Sequence, residues 1–220
     1  MSVPPKRPGY WDYLRLTDLL RLQGGLERDE TKLSNHEVLF VVVHQIYELW
    51  FKQLLHEGDR VCRLLEADES HRAQHTLKRI LTILKVMVAQ LDILETMTPL
   101  EFLSFRQRLE AASGFQSDQF RQIEFLLGLK SDQAIGRFAE GSRARAALDR
   151  RYREPTLWDA FLHYLSREGY AVPAAHLARD VVAPVEASAE IQSILEDVYR
   201  RDVKNAELCE RLVDLDEGVQ

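Results

Sequence analysis

The chain has 220 residues, enough for one domain with a full core, and its 45% hydrophobic and 29% charged content is ordinary for a globular protein. Its formal charge of −6, with 35 acidic against 29 basic residues, argues against nucleic acid as the main partner, since phosphate binding needs a basic surface. Two cysteines without CxxC spacing, Cys62 and Cys209, signal neither a disulfide framework nor a zinc site, and a reducing compartment is the default.

The first nine residues carry three prolines and little to bury, so they are expected to be extended or disordered. No apolar stretch follows them as a leader would require, and no apolar run approaches the length of a membrane span. A cytoplasmic protein with no membrane partner is expected. Residues 10–23 then read as a short amphipathic segment headed by Tyr10, Trp11 and Tyr13 and stopped at Gly24-Gly25. Three rings so close together are expected to bury against their own core or another subunit.

The most informative run is 34–56, SNHEVLFVVVHQIYELWFKQLLH. Ser34 with Glu37 fits a capping box, which starts a helix near Asn35. From Val38 to Phe51 only His44, Gln45 and Glu48 interrupt an apolar surface, as suits a helix inside a bundle. Phe40, His44, Tyr47 and Phe51 share one face. His44 there is either a core histidine satisfied by its neighbours or a group offering a hydrogen bond or proton inside an aromatic pocket. Gly58 is a weak point in the pattern, and 67–70 reads as a connection.

A second long helix is predicted to about Glu95, with Leu77, Ile80, Leu81, Leu84, Val88, Leu91 and Leu94 at helical spacing. Its His71 and His75 stand at metal-holding spacing, but without an HExxH pattern or third ligand they read as a solvated face, and no metal ligand is assigned. Thr98, Pro99 and Glu101 supply N-cap, first-position proline and capping-box acid for the next helix. On it Arg106 is flanked by Phe102 and Leu109, so its guanidinium either points into an apolar region and needs an anionic partner, or pairs at the surface with Glu110.

A loop over 112–117, a helix ending at Gly128, and a charged, weakly patterned small peripheral helical insert over 130–153 follow. Thr156 with Asp159 starts a helix closed by Gly169, Pro173 and Pro184 bracket a loop-like stretch, and two further helices run from Glu186. No segment alternates with a strand's period of two, so the fold class is all-α, a helical bundle in a single domain over 1–220. No internal repeat, phosphate-cradling glycine loop or GxSxG elbow is present.

YWDYLRL, NHEVLFVVVHQIYELWFKQLLHE, LETMTPLEFLSFRQRL and ASGFQSDQFRQIE, with PTLWDAFLHYL and ELCERLVDLDE later, resemble tryptophan 2,3-dioxygenases over residues 10–216. The resemblance implies the helical bundle of the haem dioxygenase type. It also implies a homotetramer that uses haem b iron to add O₂ across the indole C2–C3 bond of L-tryptophan, giving N-formylkynurenine. His44 then matches the distal histidine near the indole nitrogen, while Phe40 with Val41, Val42 and Val43 matches the substrate-lining run. Phe102 stands where several members have Tyr. Arg106 matches the partner of the substrate carboxylate, and Ser113 with Gly114 the loop beside the haem. Tyr10, Tyr13 and Leu14 match residues that cross into a neighbouring subunit's pocket, Tyr13 also bordering the cofactor. The family's proximal haem-ligating histidine and TGGSSG loop belong to a C-terminal segment beyond Gln220. His163 and His176, in peripheral segments, are expected to be exposed and are no substitute. The alternative expectation is a truncated or non-catalytic paralogue that keeps the fold and binds tryptophan or assembles without haem chemistry.

Overall fold

Hydrophobic residues at helical spacing, punctuated by Ser and Thr caps, leave one solution for most of the chain. A computed structural model describes residues 9–109 and 112–219, and every regular element among them is helical. The expectation for residues 1–8 lies outside the described residues. The helices are α1 (Tyr10–Leu14), α2 (Leu16–Leu19), α3 (Asn35–Glu66), α4 (Ser70–Glu95), α5 (Pro99–Arg106), α6 (Asp118–Leu126), α7 (Asp132–Gly136), α8 (Arg143–Arg153), α9 (Leu157–Arg167), α10 (Ala174–Leu177), α11 (Ala189–Arg201) and α12 (Val203–Val219). Short 3-10 turns lie at Gly25–Glu27, Glu30–Lys32, Gln107–Leu109 and Gly114–Gln116.

The chain divides into two compact units. One holds the residues up to Ile46 with those from Gln90 to the turn ending at Leu109; the other holds Tyr47–Ala89 with the residues from Ala112 on. The second has its core where α3, α4, α9, α11 and α12 contribute Val61, Leu65, Leu77, Phe161, Leu165, Val198 and Leu208, all at most 1% exposed. The stretch 130–153 forms α7 and α8 and has a small core of its own, in which Ala134, Ile135 and Leu148 pack on Phe125. Its Arg151 is clamped to Asp59 of α3 by two hydrogen bonds of 2.6 and 3.0 Å. Burial pushes the Cys62 and Cys209 thiols up, to about 12 and about 11, with neighbouring acids adding to the shift.

Several start signals act as the sequence suggests. Thr98 and Glu101 form their reciprocal capping box with Pro99 inside it, and Thr156 does the same with Asp159. Others need correction. Gly58 does not weaken α3, which runs through it, because the bare backbone there lets Leu126 of α6 pack close: a Cβ would stand 2.5 Å from Leu126 Cδ2. Ser34 Oγ accepts the Glu37 amide at 3.2 Å, but the Glu37 carboxylate takes Arg108 as its partner. The stretch bracketed by Pro173 and Pro184 contains α10. Finally, α3 is long and apolar enough by length and composition to cross a membrane, contrary to the sequence reading. It nonetheless carries buried Glu57 paired with Arg79 at 2.8 Å, and its Val61 and Leu65 lie in the protein core.

Candidate functional site

The N-terminal half-turns of α3 and the whole of α5 lie in the first unit, and together they build an aromatic wall. The spacing of four residues along α3 stacks the His44 imidazole on the Phe40 ring, centroids 3.9 Å apart and planes 33° to each other. Phe102 and Phe105, one turn apart on α5, meet edge to face at 5.4 Å and close on Phe40 at 6.0 and 5.6 Å. Phe105 is 1% exposed and forms the back of the wall; Phe40 and Phe102 are half-buried and form its face. Val43 is buried, and Val41 and Val42 are half-buried beside it.

His44 Nδ1 lies 2.7 Å from the Phe40 carbonyl oxygen. A carbonyl can only accept, so this bond requires the proton on Nδ1 and gives the neutral ring its lone pair on Nε2. Backbone geometry thereby selects the tautomer with the proton on Nδ1. Tyr47 and Phe51, predicted to share this face, belong to the second unit, where they pair at 6.1 Å and Phe51 packs on Phe120 at 5.3 Å. Tyr47 also donates its hydroxyl to the Met87 carbonyl at 2.7 Å.

Arg106 does not point into an apolar interior. It is exposed at the end of α5 with its guanidinium carbon 5.8 Å from the centroid of Phe102, a cation–π placement, and among the described residues no carboxylate pairs with it. Glu110, the surface partner considered from spacing, lies outside the described residues. A guanidinium held over a ring at an exposed helix end suits an incoming carboxylate.

Tyr10, Tyr13 and Leu14 stand on α1 with 72%, 78% and 42% of their surfaces exposed. Ser113 and Gly114 belong to the second unit, where Ser113 caps the turn Gly114–Gln116 by accepting the Phe115 amide at 3.3 Å. A Cβ on Gly114 would meet nothing within 4 Å, and the neighbouring Phe115 ring is 67% exposed with Arg121 over it at 6.0 Å. His71, His75 and His163 are exposed and His176 is half-buried. Sequence reasoning passed over Arg108 and Glu37 as a pair, because 71 residues separate them.

Among the described residues the protein is all-helical, with a wall of aromatic rings that carries an imidazole and has a guanidinium at its edge. The family model of tryptophan 2,3-dioxygenase matches residues 6–169. The tryptophan 2,3-dioxygenase of Herpetosiphon aurantiacus is 52% identical over 215 residues, which cover 96% of this chain and 80% of that protein. Those of Anaeromyxobacter sp. strain K and Myxococcus xanthus are 46% and 38% identical, over 96% and 97% of this chain and 77% and 74% of theirs. The chain belongs to the tryptophan 2,3-dioxygenase family.

Proposed function

We propose that this protein opens the indole ring of L-tryptophan with O₂ to give N-formylkynurenine, the first step of tryptophan breakdown. The observation that carries the reading is the wall of Phe40, Phe102 and Phe105 with His44 stacked on it and Arg106 at its edge. An indole can pack against the aromatic wall, and Arg106 offers two parallel N–H donors to the amino-acid carboxylate. His44 Nε2 accepts the indole N–H. Its role is to orient, because an indole N–H is far too weak an acid for imidazole to deprotonate outright. The apolar rings keep water from the reacting carbons.

Haem b is the cofactor of this reading, and its iron would supply the binding and activation of O₂. The uncrowded surface over Gly114 and the exposed Phe115 ring, with Arg121 beside it, fit the edge of a flat anionic macrocycle. Ser113 and Gly114 would border it. The exposed Tyr10, Tyr13 and Leu14 support a homotetramer in which the N-terminal segment reaches a neighbouring subunit. Two free cysteines support a reducing, cytoplasmic setting.

The test is spectroscopic. Purified protein reconstituted with haem should show a Soret band that shifts on adding L-tryptophan and should release N-formylkynurenine under air. Arg106→Leu should abolish the tryptophan-induced shift while leaving the haem band in place. A wild-type protein that takes up haem but neither shifts nor turns over would overturn the reading.

A further inference from the structure

Helix α5 carries Phe102, Phe105 and Arg106, and it is tied at both ends to two adjacent residues of α3. At its start Glu101 meets His36, with Oε1 3.5 Å from Nε2. Just past its end Arg108 Nη1 donates to Glu37 Oε2 at 3.0 Å and to the Lys32 carbonyl at 3.2 Å.

The two ties differ on the acid side. His36 and Glu101 keep 41% and 36% of their side chains exposed, so water screens their pairing. In the other pair Arg108 keeps 53% of its side chain exposed, but the Glu37 side chain is 7% exposed, and a carboxylate so far out of water needs a cation with good geometry. Arg108 is that cation. It sits in the turn Gln107–Leu109, two residues beyond Arg106, so at most about 7 Å of extended chain separates the pinned residue from Arg106. Glu37, Phe40 and His44 stand at i, i+3 and i+7 on α3 and share a face. The pair therefore joins the face that carries the ring wall to the stretch of chain that carries the guanidinium.

We propose that Glu37 and Arg108 are positioning residues for carboxylate recognition: their ion pair fixes the end of α5 on α3 and so sets where Arg106 meets the carboxylate of the bound amino acid. Neither residue touches the ligand. The inference rests on the reading of Arg106 given above, and it assigns the specificity for an α-amino acid, over an indole without a carboxylate, to a pair outside the pocket.

The experiment compares L-tryptophan with tryptamine, which keeps the indole and amine and lacks the carboxylate, by calorimetric titration of the haem-loaded protein and by steady-state kinetics. In Arg108→Met the affinity for L-tryptophan should fall about tenfold, as for one misplaced charge-assisted contact, with KM rising in parallel and kcat at saturation holding within about twofold. Tryptamine affinity should change less than about twofold, because the lost term belongs to the carboxylate. Arg108→Lys should restore most of the tryptophan affinity, and Glu37→Gln combined with Arg108→Met should be no worse than either alone. Equal losses for both ligands would reduce the pair to a stabilising contact and overturn the proposal, as would an unchanged tryptophan affinity in Arg108→Met. If Arg108→Met does not fold, the same comparison on Glu37→Gln decides between these outcomes. Arg106→Leu is run alongside: if it too leaves tryptophan binding intact, the assignment of Arg106 fails rather than its coupling to Arg108.

Discussion

Tyr164 donates its hydroxyl to Asn205 Oδ1 at 2.7 Å, and neither residue has any exposed surface. Asn205 in turn donates its amide to Asp202 Oδ2 at 2.7 Å, which also accepts the Tyr170 hydroxyl at 3.1 Å. This chain of bonds ties α9 to the junction of α11 and α12. Tyr164→Phe keeps the ring and removes the donor, leaving Asn205 Oδ1 buried and unpaired, which costs about 1–3 kcal/mol. A lowered melting temperature with unchanged far-ultraviolet circular dichroism is the expected result; an unchanged melt would show that the hydroxyl is dispensable.

Asp159 accepts from Arg179 at 2.5 and 3.0 Å and from the Thr156 amide at 2.7 Å, with 6% of its side chain exposed. Burial pushes its carboxyl up, but the Arg179 and Thr156 hydrogen bonds outweigh that and hold it below the usual carboxylate range. A carboxyl depressed in the folded state stabilises fully above its unfolded pKa of about 3.9, and the gain disappears as pH falls through the folded value. Denaturant titrations should therefore show this contribution constant above about pH 5 and declining below about pH 4. Arg179→Leu leaves a buried carboxylate unpaired and should cost about 3–5 kcal/mol near neutral pH. A variant as stable as the parent there would refute the account.

Gly58 sits inside α3 against Leu126, which is 4% exposed. Alanine gains up to about 1 kcal/mol of helix propensity. Forcing its methyl against Leu126 costs about 1–3 kcal/mol, so Gly58→Ala should be net destabilising. Pairing it with Leu126→Ala should recover part of the combined loss, and simple additivity of the two would show that no close contact exists.

Phe105→Ala removes the back of the ring wall at a residue 1% exposed and should cost about 3–5 kcal/mol. Phe105→Leu should restore most of that stability while leaving Phe102 without its edge-on partner. Tryptophan affinity in Phe105→Leu, measured where both proteins are folded, should fall below the parent's. Equal affinities would mean that the wall's shape does not depend on Phe105.

Local chemistry was legible at several places along the chain where the determinant lay within a few residues, though the Glu37 carboxylate, read as half of a capping box with Ser34, pairs with Arg108 instead. Thr98 with Glu101, and Thr156 with Asp159, close their bonds over three residues, and both helix starts fall where that spacing puts them. The stacking of His44 on Phe40 follows from a separation of four. What escaped the sequence was contact at long range. Arg151 and Asp59 are 92 residues apart, Arg108 and Glu37 71, and nothing in either neighbourhood marks one as the other's partner. Gly58 was misread because a glycine that admits a neighbour and a glycine that ends a helix look alike in one dimension. Arg106 was left open between an apolar face and the surface because helical periodicity assigns a face and does not tell how far that face is covered.

The two cysteines give the fold a chemical tolerance suited to its proposed work. A thiol with its pKa pushed to about 12 or about 11 is almost wholly protonated near neutral pH, and it is the thiolate that oxidants and alkylating agents attack. In a protein that handles O₂, neither sulfur offers an easy route to sulfenic acid. Burial that serves packing in the core thus also keeps the enzyme's own nucleophiles out of its chemistry.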